Sequence, residues 1–272
     1  MLEVQRVTRE AKQDARDPVI KELPLTIILN QEELATLPCS PTDLKYLAIG
    51  FLFSEGWLEN KDEIKRITVD DQNGVVSVET AEGKWLTDRL TGRQRVTSGC
   101  ARMVWEGYRH TEVPGLEKVK SRFSISAARV LALVRQFQLR SQLFKATGGV
   151  HSAALCDTKD IIVFSDDIGR HNAIDKILGR CLLDHITTTN RIIITSGRVS
   201  SETVLKVARM NIPVLVSRSA PTDLGVRLAD SLGMTLVGFA RGKKMNVYTV
   251  GERIVTDGEE SNRGEVHPIS HG

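Results

Sequence analysis

The chain has 272 residues and a formal net charge of +3, with 37 basic and 34 acidic side chains. A chain of this length can bury a large core, and we expect two domains. The small net charge argues against a protein that coats nucleic acid but permits a local basic patch for an anionic ligand. Neither an apolar signal core at the start nor a run of about 18 apolar residues occurs in the sequence. We therefore expect a cytoplasmic protein with no nucleic-acid partner and no membrane contact.

The N-terminal part, residues 1–115, predicts the smaller domain, of α+β type. Its first 22 residues are charged and weakly patterned, after which Leu25–Leu29 has the composition of a strand. Strand-like patterns return between 64 and 97. The helix predicted between them has an apolar face at helical spacing: Leu44, Leu47, Ala48 and Phe51. Ser40 is expected to cap that helix, with a proline at its first position.

Residues 124–250 show a regular alternation that predicts a larger α/β domain. Helical and strand patterns follow each other in the order α-β-β-α-β-α-β-α-β, and the strands are apolar throughout. Such strands indicate a largely parallel sheet that helices cover on both faces. The first helix is expected to be capped by Ser126 and to carry an aliphatic face: Val130, Leu131, Val134 and Leu139. The link between the domains is expected between 104 and 123, and residues 251–272 form a polar tail.

Four polar loops follow predicted strands of this domain, and each carries at least one cation: 166–172, 196–200, 218–220 and 241–244. Ligands of open α/β sheets gather at the carboxyl ends of strands, where helix N-termini present unpaired N–H groups to anions. A single basic loop is explained by solvation alone, because Arg and Lys favour water. Four together favour a site for an anionic ligand such as a nucleotide.

The first of these loops contains a further pattern, because His171 and Asp175 lie four residues apart and share a helical face. A histidine there can move protons or pair with a phosphate. The alternative is a structural histidine that Asp175 holds at the start of a helix. The sequence leaves both interpretations open.

The four cysteines are far apart and show no C-x-x-C spacing, so neither a zinc site nor a disulfide framework is expected. Cys156 and Cys181 belong to apolar patterns and are expected to be buried, whereas Cys39 can be exposed before its helix. Cys100 differs, because it lies in a small, polar segment with arginines on both sides. Positive charge favours the nucleophilic thiolate, so Cys100 is the candidate reactive thiol. From composition alone, an unpaired cysteine without a function is an equally good interpretation.

Several longer stretches form a pattern of their own. They are Leu37–Leu44, Gly50–Leu52, Glu55–Gly56, Thr147–His151, Asp167–Lys176, Ser196–Glu202, Ser219–Thr222, Gly238–Arg241 and Asn246–Tyr248. Together they resemble the FdhD/NarQ family, the accessory sulfurtransferases of formate dehydrogenase. The resemblance implies a three-layer α/β/α domain, similar to cytidine deaminases, in the C-terminal part. Deaminase chemistry is not implied, because the zinc-binding motifs of those enzymes are missing.

The resemblance also implies a function. Members of this family are similar to sulfur carriers that accept sulfur from a cysteine desulfurase as a persulfide. They pass it to molybdenum-bis(molybdopterin guanine dinucleotide), which the catalytic subunit of a formate dehydrogenase requires. The persulfide cysteine corresponds to Cys100, and the cofactor-binding segment to Phe239, Ala240, Arg241, Gly242, Lys243 and Lys244. Arg198, His171 and Asp175 are expected to assist, and a homodimer is expected.

The chain departs from the family pattern next to Cys100. The family loop is C-G-x-C, whereas here Ala101 replaces the glycine and Met103 stands in place of the second cysteine. A thioether can neither form a thiolate nor carry a persulfide, so a relay between two cysteines is excluded. Transfer through one thiol remains open, with a cofactor-binding chaperone as the alternative. A nucleotide hydrolase with Cys100 as nucleophile and His171 as base is a third hypothesis without a supporting signature.

Overall fold

The computed structural model describes residues 1–81 and 116–256, together with the backbone of 96–97. The described residues divide into two compact units. Unit 1 takes its residues from 1–110, 140–153 and 164–187, and unit 2 from 111–139, 154–163 and 188–272. Both units combine segments that are distant in sequence. The predicted division into 1–115, 124–250 and 251–272 stays a prediction.

Strands from the first hundred residues form most of the β-structure of unit 1. They are β1 (Leu2–Val7), β2 (Lys12–Asp17), β3 (Leu23–Leu29), β4 (Glu32–Cys39), β5 (Ile64–Asp70), β6 (Val75–Thr80) and β7 (Val96–Thr97). The last five form a sheet in the order β5-β6-β3-β4-β7. The turn between β3 and β4 places Asn30 and Gln31 at positive φ, 48° and 71°, which suits a tight hairpin. The strand predicted at Leu25–Leu29 is confirmed.

Strands β1 and β2 form a separate antiparallel hairpin. The sequence predicts no element here, because nearly all of its side chains are exposed and no alternation between core and solvent is present. Such a hairpin is defined by its backbone hydrogen bonds, and hydrophobic periodicity cannot predict it because few of its side chains are buried.

The remaining elements follow in chain order. The strands are β8 (Ile125–Ser126), β9 (His151–Cys156), β10 (Ile161–Asp167), β11 (Ile192–Thr195), β12 (Val214–Ser217), β13 (Thr235–Arg241), β14 (Lys244–Val247) and β15 (Ile254–Val255). The helices are α1 (Leu44–Ser54), α2 (Ala127–Arg140), α3 (Gln142–Thr147), α4 (Arg170–Leu183), α5 (Ser201–Arg209) and α6 (Asp223–Ser231). Short 3-10 turns lie at Lys61–Glu63 and Gly251–Arg253. The predicted alternation is confirmed, and the short elements α3, β8, β14 and β15 add to it.

A six-stranded sheet has the order β10-β9-β11-β12-β13-β14. Strands β11, β12 and β13 pair in parallel, whereas β14 pairs with β13 antiparallel. The parallel strands are buried over most of their length, which explains why their sequences are apolar throughout. The predicted α/β fold class is confirmed. Within the described segments, no helix is both long and apolar enough to cross a membrane.

Helix α2 begins where it was expected but buries a different face. Ser126 Oγ accepts a hydrogen bond from the Arg129 N–H (3.4 Å), so the cap agrees with the prediction. The buried residues are Val130, Leu133, Val134 and Phe137. Leu139 is 68% exposed, and its assignment to the buried face was wrong. At about 100° per residue, Leu139 lies on the side of the helix opposite to Val130.

Ser40 does not cap α1, contrary to expectation. The residue before the helix is Asp43, which has φ 57° and makes no side-chain cap. Ser40 Oγ instead accepts a hydrogen bond from the Ile168 N–H (3.1 Å), far along the chain in the same unit. The Ser40 hydroxyl therefore bonds to the Ile168 N–H instead of capping the helix as the local pattern predicts.

Helices α1 and α4 cross within unit 1 at two glycines. A Cβ added at Gly50 would lie 1.8 Å from the Asp175 carbonyl oxygen, and one at Gly179 would lie 2.0 Å from that of Tyr46. Only residues without side chains let the two backbones approach this closely. The crossing therefore fixes glycine at both positions.

Replacing Gly50 by alanine is expected to destabilise the protein strongly. The added methyl group would overlap backbone atoms of α4, which cannot move aside as the end of a flexible side chain can. We expect the free energy of unfolding, measured by urea denaturation, to fall by about 3 kcal/mol or more. Gly251→Ala is the control, because its nearest atom would be 3.9 Å away. A loss below about 1 kcal/mol for Gly50→Ala would contradict the close crossing.

Candidate functional site

Cys100, the candidate reactive thiol, lies outside the described residues. The other cysteines are free and buried: Cys39, Cys156 and Cys181. Burial raises the pKa of each of these thiols from 9.0 to about 12, and nearby aspartates add to the effect. At neutral pH they are therefore almost wholly protonated and unreactive. The expectation that Cys39 can be exposed was wrong, because the end of β4 carries it into the core of unit 1.

The loops after β11 and β12 are joined by hydrogen bonds within unit 2. The Val199 N–H donates to the Ala220 carbonyl (3.1 Å), and the Thr222 N–H donates back to the Val199 carbonyl (2.9 Å). Ser219 Oγ donates to the Ser196 carbonyl (3.0 Å). Because parallel strands end at the same edge of a sheet, the two loops form one continuous rim there.

The end of β13 extends this rim. The Phe239 N–H donates to the Ser219 carbonyl (3.1 Å), and Phe239 has φ 52°, a left-handed conformation that is strained for a bulky residue. A Cβ added at Gly238 would lie 2.9 Å from Pro221, so glycine is needed beside it. The Arg241 guanidinium lies over the Phe239 ring, 5.7 Å from its centroid. Strain that the surrounding contacts maintain is typical of ligand sites.

Two guanidinium groups of unit 2 lie close enough to affect each other. Burial, and then the charge of Arg241, lower the pKa of Arg218. With its amide oxygen assigned towards Arg218, Gln138 accepts hydrogen bonds from Nε (2.8 Å) and from a terminal nitrogen (2.5 Å). Among the described residues, no carboxylate forms an ion pair with either arginine. The rim therefore carries positive charge that an anion would neutralise.

The structure places most of the predicted cofactor-binding residues on or beside this rim. Phe239 is half-buried, and Ala240 is buried, so its side chain is not available to a ligand. The others are exposed: Arg198, Arg241, Gly242, Lys243 and Lys244. Gly242 has φ 62° and turns the chain from β13 into β14. His171 is the exception, because it belongs to unit 1.

A buried ion pair lies at the start of α4 in unit 1. Lys176 Nζ is 2.7 Å from Asp167 Oδ2, and both side chains are at most 1% exposed. Asp167 also accepts hydrogen bonds from the N–H groups of Ser40 (3.1 Å) and Gly169 (2.8 Å) and from Asn172 Nδ2 (2.9 Å). The carboxylate is thus fully satisfied by one charge and three neutral donors.

His171 and Asp175 are both buried in the same unit, with 7% and 1% of their surfaces exposed. Asp175 Oδ1 accepts a hydrogen bond from Ser54 Oγ (2.8 Å), which ties α4 to α1. Asp175 therefore has a structural role, and burial leaves His171 little surface for a ligand.

Comparison with known proteins places the chain in a family. The sequence model of the FdhD/NarQ family matches residues 20–255, which is most of the chain. The chain belongs to the FdhD/NarQ family. Sulfur carrier protein FdhD of Bacillus pumilus is 43% identical over 239 residues, covering 88% of this chain and 90% of that protein. The protein of the same name from Bacillus subtilis is 42% identical over 238 residues with the same coverage, 88% and 90%.

A solved structure supports the same assignment. The crystal structure described as a formate dehydrogenase accessory protein from Desulfotalea psychrophila superposes with a TM-score of 0.75 at 29% identity. The match covers 93% of this chain and 98% of that one. The resemblance to the FdhD/NarQ family that the sequence motifs indicate is confirmed.

Three FdhD/NarQ stretches that are distant in sequence meet inside unit 1. Asn172 Nδ2 donates to the Pro38 carbonyl (2.9 Å), and Lys176 Nζ donates to Thr42 Oγ1 (3.3 Å). The third stretch contains Gly50, whose backbone touches that of Asp175. These family motifs thus maintain the fold of unit 1 in addition to any role in binding.

Sequence reasoning missed two residues of these sites. Lys176 had a usable signal, because a lysine stands between the apolar positions Ile174 and Ile177 on the buried face of α4. A charge at such a position needs a buried partner. Gln138 had none, because its partner Arg218 lies on a distant strand end and only the fold brings them together.

Replacing Lys176 by methionine is expected to lower the free energy of unfolding by about 3–5 kcal/mol in urea denaturation, because Asp167 would stay buried without its counter-charge. Adding Asp167→Asn to this variant should restore part of the loss. Arg227→Gln is the matched control: its pair with Asp223 has the same 2.7 Å separation but is 70% and 80% exposed. That control should lose less than about 1 kcal/mol. If Lys176→Met and Arg227→Gln lose equal free energy of unfolding, burial of the Lys176–Asp167 pair is not what makes it important.

Proposed function

We propose that this chain carries sulfur as a persulfide on Cys100. It receives the sulfur from a cysteine desulfurase and delivers it to molybdenum-bis(molybdopterin guanine dinucleotide) for a formate dehydrogenase. Membership of the FdhD/NarQ family and the names of the relatives, sulfur carrier and formate dehydrogenase accessory protein, support this role.

The observation that carries the choice of residue is the burial of every other thiol. Burial raises the pKa of the Cys39, Cys156 and Cys181 thiols to about 12, so these thiols are almost wholly protonated at pH 7. A sulfur acceptor must attack as a thiolate and must reach the donor protein. The chain has four cysteines, so Cys100 is left as the candidate.

The sequence around Cys100 and the strand before it are consistent with this role. Arg93, Arg95 and Arg102 lie within a few residues of it and favour the thiolate. Strand β7 pairs in parallel with β4, with Thr97 opposite Thr36. β7 therefore runs towards the end of the sheet at which β4 terminates in Cys39.

The proposed transfer uses one thiol and two steps. The Cys100 thiolate attacks the terminal sulfur of the desulfurase persulfide, the donor S–S bond breaks, and the donor cysteine leaves as a thiolate. Delivery breaks the S–S bond on Cys100, which returns to a thiolate. The sulfur atom takes two electrons from molybdenum and becomes a sulfido ligand, so the oxidation of the metal balances the reduction of sulfur.

The rim of unit 2 is the proposed site for the anionic cofactor. Arg218 and Arg241 repel each other without an anion, and their planar donors suit phosphate oxygens. Lys243, Lys244 and Arg198 add exposed charges, and the Phe239 ring offers an apolar face. His171 is buried in unit 1, and its predicted part in cofactor binding stays a prediction. The protein is proposed to act in the cytoplasm, as a homodimer that binds the desulfurase and the formate dehydrogenase catalytic subunit.

Incubation of the full chain with a cysteine desulfurase and cysteine is expected to add one sulfur atom to Cys100. Mass spectrometry of non-reduced peptides measures the position of the added sulfur. Cys100→Ala should abolish the label, whereas Cys156→Ala should retain it, because a protonated buried thiol is not a sulfur acceptor. Label on Cys156 or Cys181 in native protein would contradict the assignment.

The same Cys100→Ala variant separates sulfur transfer from the chaperone alternative that Met103 suggests. In a strain that lacks the native gene, the variant should fail to support formate dehydrogenase activity. If it still supports activity while Lys243→Ala with Lys244→Ala does not, the chain acts by binding the cofactor alone.

Combining Arg218→Gln with Arg241→Gln is expected to weaken GDP binding at least about tenfold, since each lost charge-assisted hydrogen bond contributes about 1.5–3 kcal/mol. GDP is the probe because it reproduces the guanine nucleotide end of the cofactor, and calorimetry measures its affinity. Arg227→Gln, an exposed arginine on α6, is the control and should bind as the native chain does. Unchanged affinity in the double variant would remove the rim as the binding site.

A further inference from the structure

Arg218 lies at the carboxyl end of β12, in the rim of unit 2, and its side chain is half-buried. Its backbone is fixed, because the Arg218 N–H donates to the Thr195 carbonyl (3.2 Å) and the Ser219 N–H donates to Ser217 Oγ (2.9 Å). An arginine side chain has several rotatable bonds, so a fixed backbone leaves the guanidinium group many orientations. The direction of that group is therefore set by its own contacts.

Gln138 makes such a contact from helix α2. It lies four residues after Val134, which is buried on the core face of the helix, and it is itself half-buried. Its amide oxygen accepts hydrogen bonds from Arg218 Nε (2.8 Å) and from a terminal nitrogen (2.5 Å). The opposite assignment of the amide would set its N–H groups against the guanidinium donors, so the oxygen is the atom that faces Arg218.

These two bonds use one edge of the Arg218 guanidinium group. Nε and one terminal nitrogen share the edge that Gln138 occupies, whereas the two terminal nitrogens present parallel N–H groups at the end of the side chain. That end is the part of an arginine that binds two oxygens of one phosphate or carboxylate group. Gln138 therefore fixes the plane of the guanidinium group without occupying its phosphate-binding end.

The acceptor that holds Arg218 is also uncharged. A buried arginine is commonly paired with a carboxylate, which would orient it equally well but would also cancel its charge. Within the segments that the structure describes, no carboxylate forms an ion pair with Arg218. An amide oxygen fixes the direction of the group and leaves its positive charge to attract an anion.

We propose that Gln138 is a positioning residue of the rim, whose amide oxygen directs the Arg218 guanidinium group towards an anionic ligand without neutralising its charge. Gln138 acts through Arg218 and does not touch the ligand. The alternative is that the amide only satisfies the donors of a half-buried arginine and so stabilises unit 2. This inference rests on the rim as the proposed cofactor site, and it adds the requirement that residue 138 is an uncharged acceptor.

Replacing Gln138 by glutamate separates the two roles. Glutamate keeps an acceptor oxygen at the same reach and binds Arg218 more strongly, so a purely structural role predicts an equal or higher Tm and unchanged ligand binding. The proposal predicts that Tm is kept while the Kd for GDP, measured by calorimetry on the full chain, rises about tenfold, the effect of losing a charge-assisted hydrogen bond to the ligand. Gln136→Glu is the matched control, because it adds the same charge at an exposed position of α2, and its Kd should stay within about twofold of the native value.

Replacing Gln138 by methionine removes the acceptor but keeps a side chain of similar length. Arg218 then keeps its charge and loses its fixed direction, so the Kd for GDP should rise about three- to tenfold. In an Arg218→Gln background the methionine change should have no further effect, because Gln138 acts through Arg218. NMR spectra of the arginine Nε–H groups give a readout without ligand: the signal that Arg218→Gln removes should shift in Gln138→Met and stay in place in Gln136→Glu.

The outcomes distinguish this proposal from the proposed cofactor site. If the native chain does not bind GDP, the rim is not the cofactor site and the positioning role is wrong with it. If the native chain binds GDP and both Gln138 variants bind it as tightly, the rim is kept and the positioning role alone is overturned. An equal loss from Gln138→Met with and without Arg218, or an unshifted Nε–H signal, would also overturn it. If one Gln138 variant does not fold, the other one is the test.

Discussion

The buried ion pair between Lys176 and Asp167 is the constraint on which the rest of unit 1 depends. A charge pair withdrawn from water is stable only when its remaining donors and acceptors are also satisfied. Asp167 meets this condition with N–H groups from Ser40 and Gly169, and Lys176 meets it with Thr42 Oγ1 (3.3 Å) and the Asp166 carbonyl (3.2 Å). The pair therefore fixes the loop before α1 and the start of α4 at once.

The crossing of α1 and α4 follows from that arrangement. Once the start of α4 is fixed, one stripe of α1 with four-residue spacing faces it, namely Tyr46, Gly50 and Ser54. Tyr46 Oη donates to Asp184 (3.2 Å), Gly50 touches the backbone of α4, and Ser54 donates to Asp175 (2.8 Å). Rows at this spacing are the ridges by which helices pack. Hydrogen bonds on both sides of the Gly50 contact fix the register of α1 against α4. Apolar packing alone does not fix that register.

Local sequence patterns predicted the helices and strands that have a regular apolar spacing. They did not predict the surroundings of side chains that depend on residues far along the chain. The helix α4 and the strands β9 to β13 follow apolar spacing, and the sequence predicted all of them. Ser40 has the neighbours of a helix cap, but the Ile168 N–H uses its hydroxyl, and no local pattern contains that partner. The surroundings of Cys39 and Gln138 also come from residues that are distant in sequence, so local patterns could not predict them. Cys100 and its loop lie outside the described residues, so their assignment rests on sequence alone.

Met103 stands where the sequence resemblance leads us to expect a second cysteine, and this limits how the proposed sulfur carrier can work. In a two-cysteine loop, the second thiol can displace the sulfur and close a disulfide. Here Met103 cannot do so, and the other cysteines in the described part of the chain are buried and protonated. On the proposed function, a persulfide on Cys100 has no attacker within those residues and waits for an acceptor from outside. Binding of the acceptor then determines when sulfur leaves. On that proposal, a carrier without a resolving thiol keeps its sulfur until the acceptor arrives, so affinity for the acceptor sets the timing of transfer as well as its specificity.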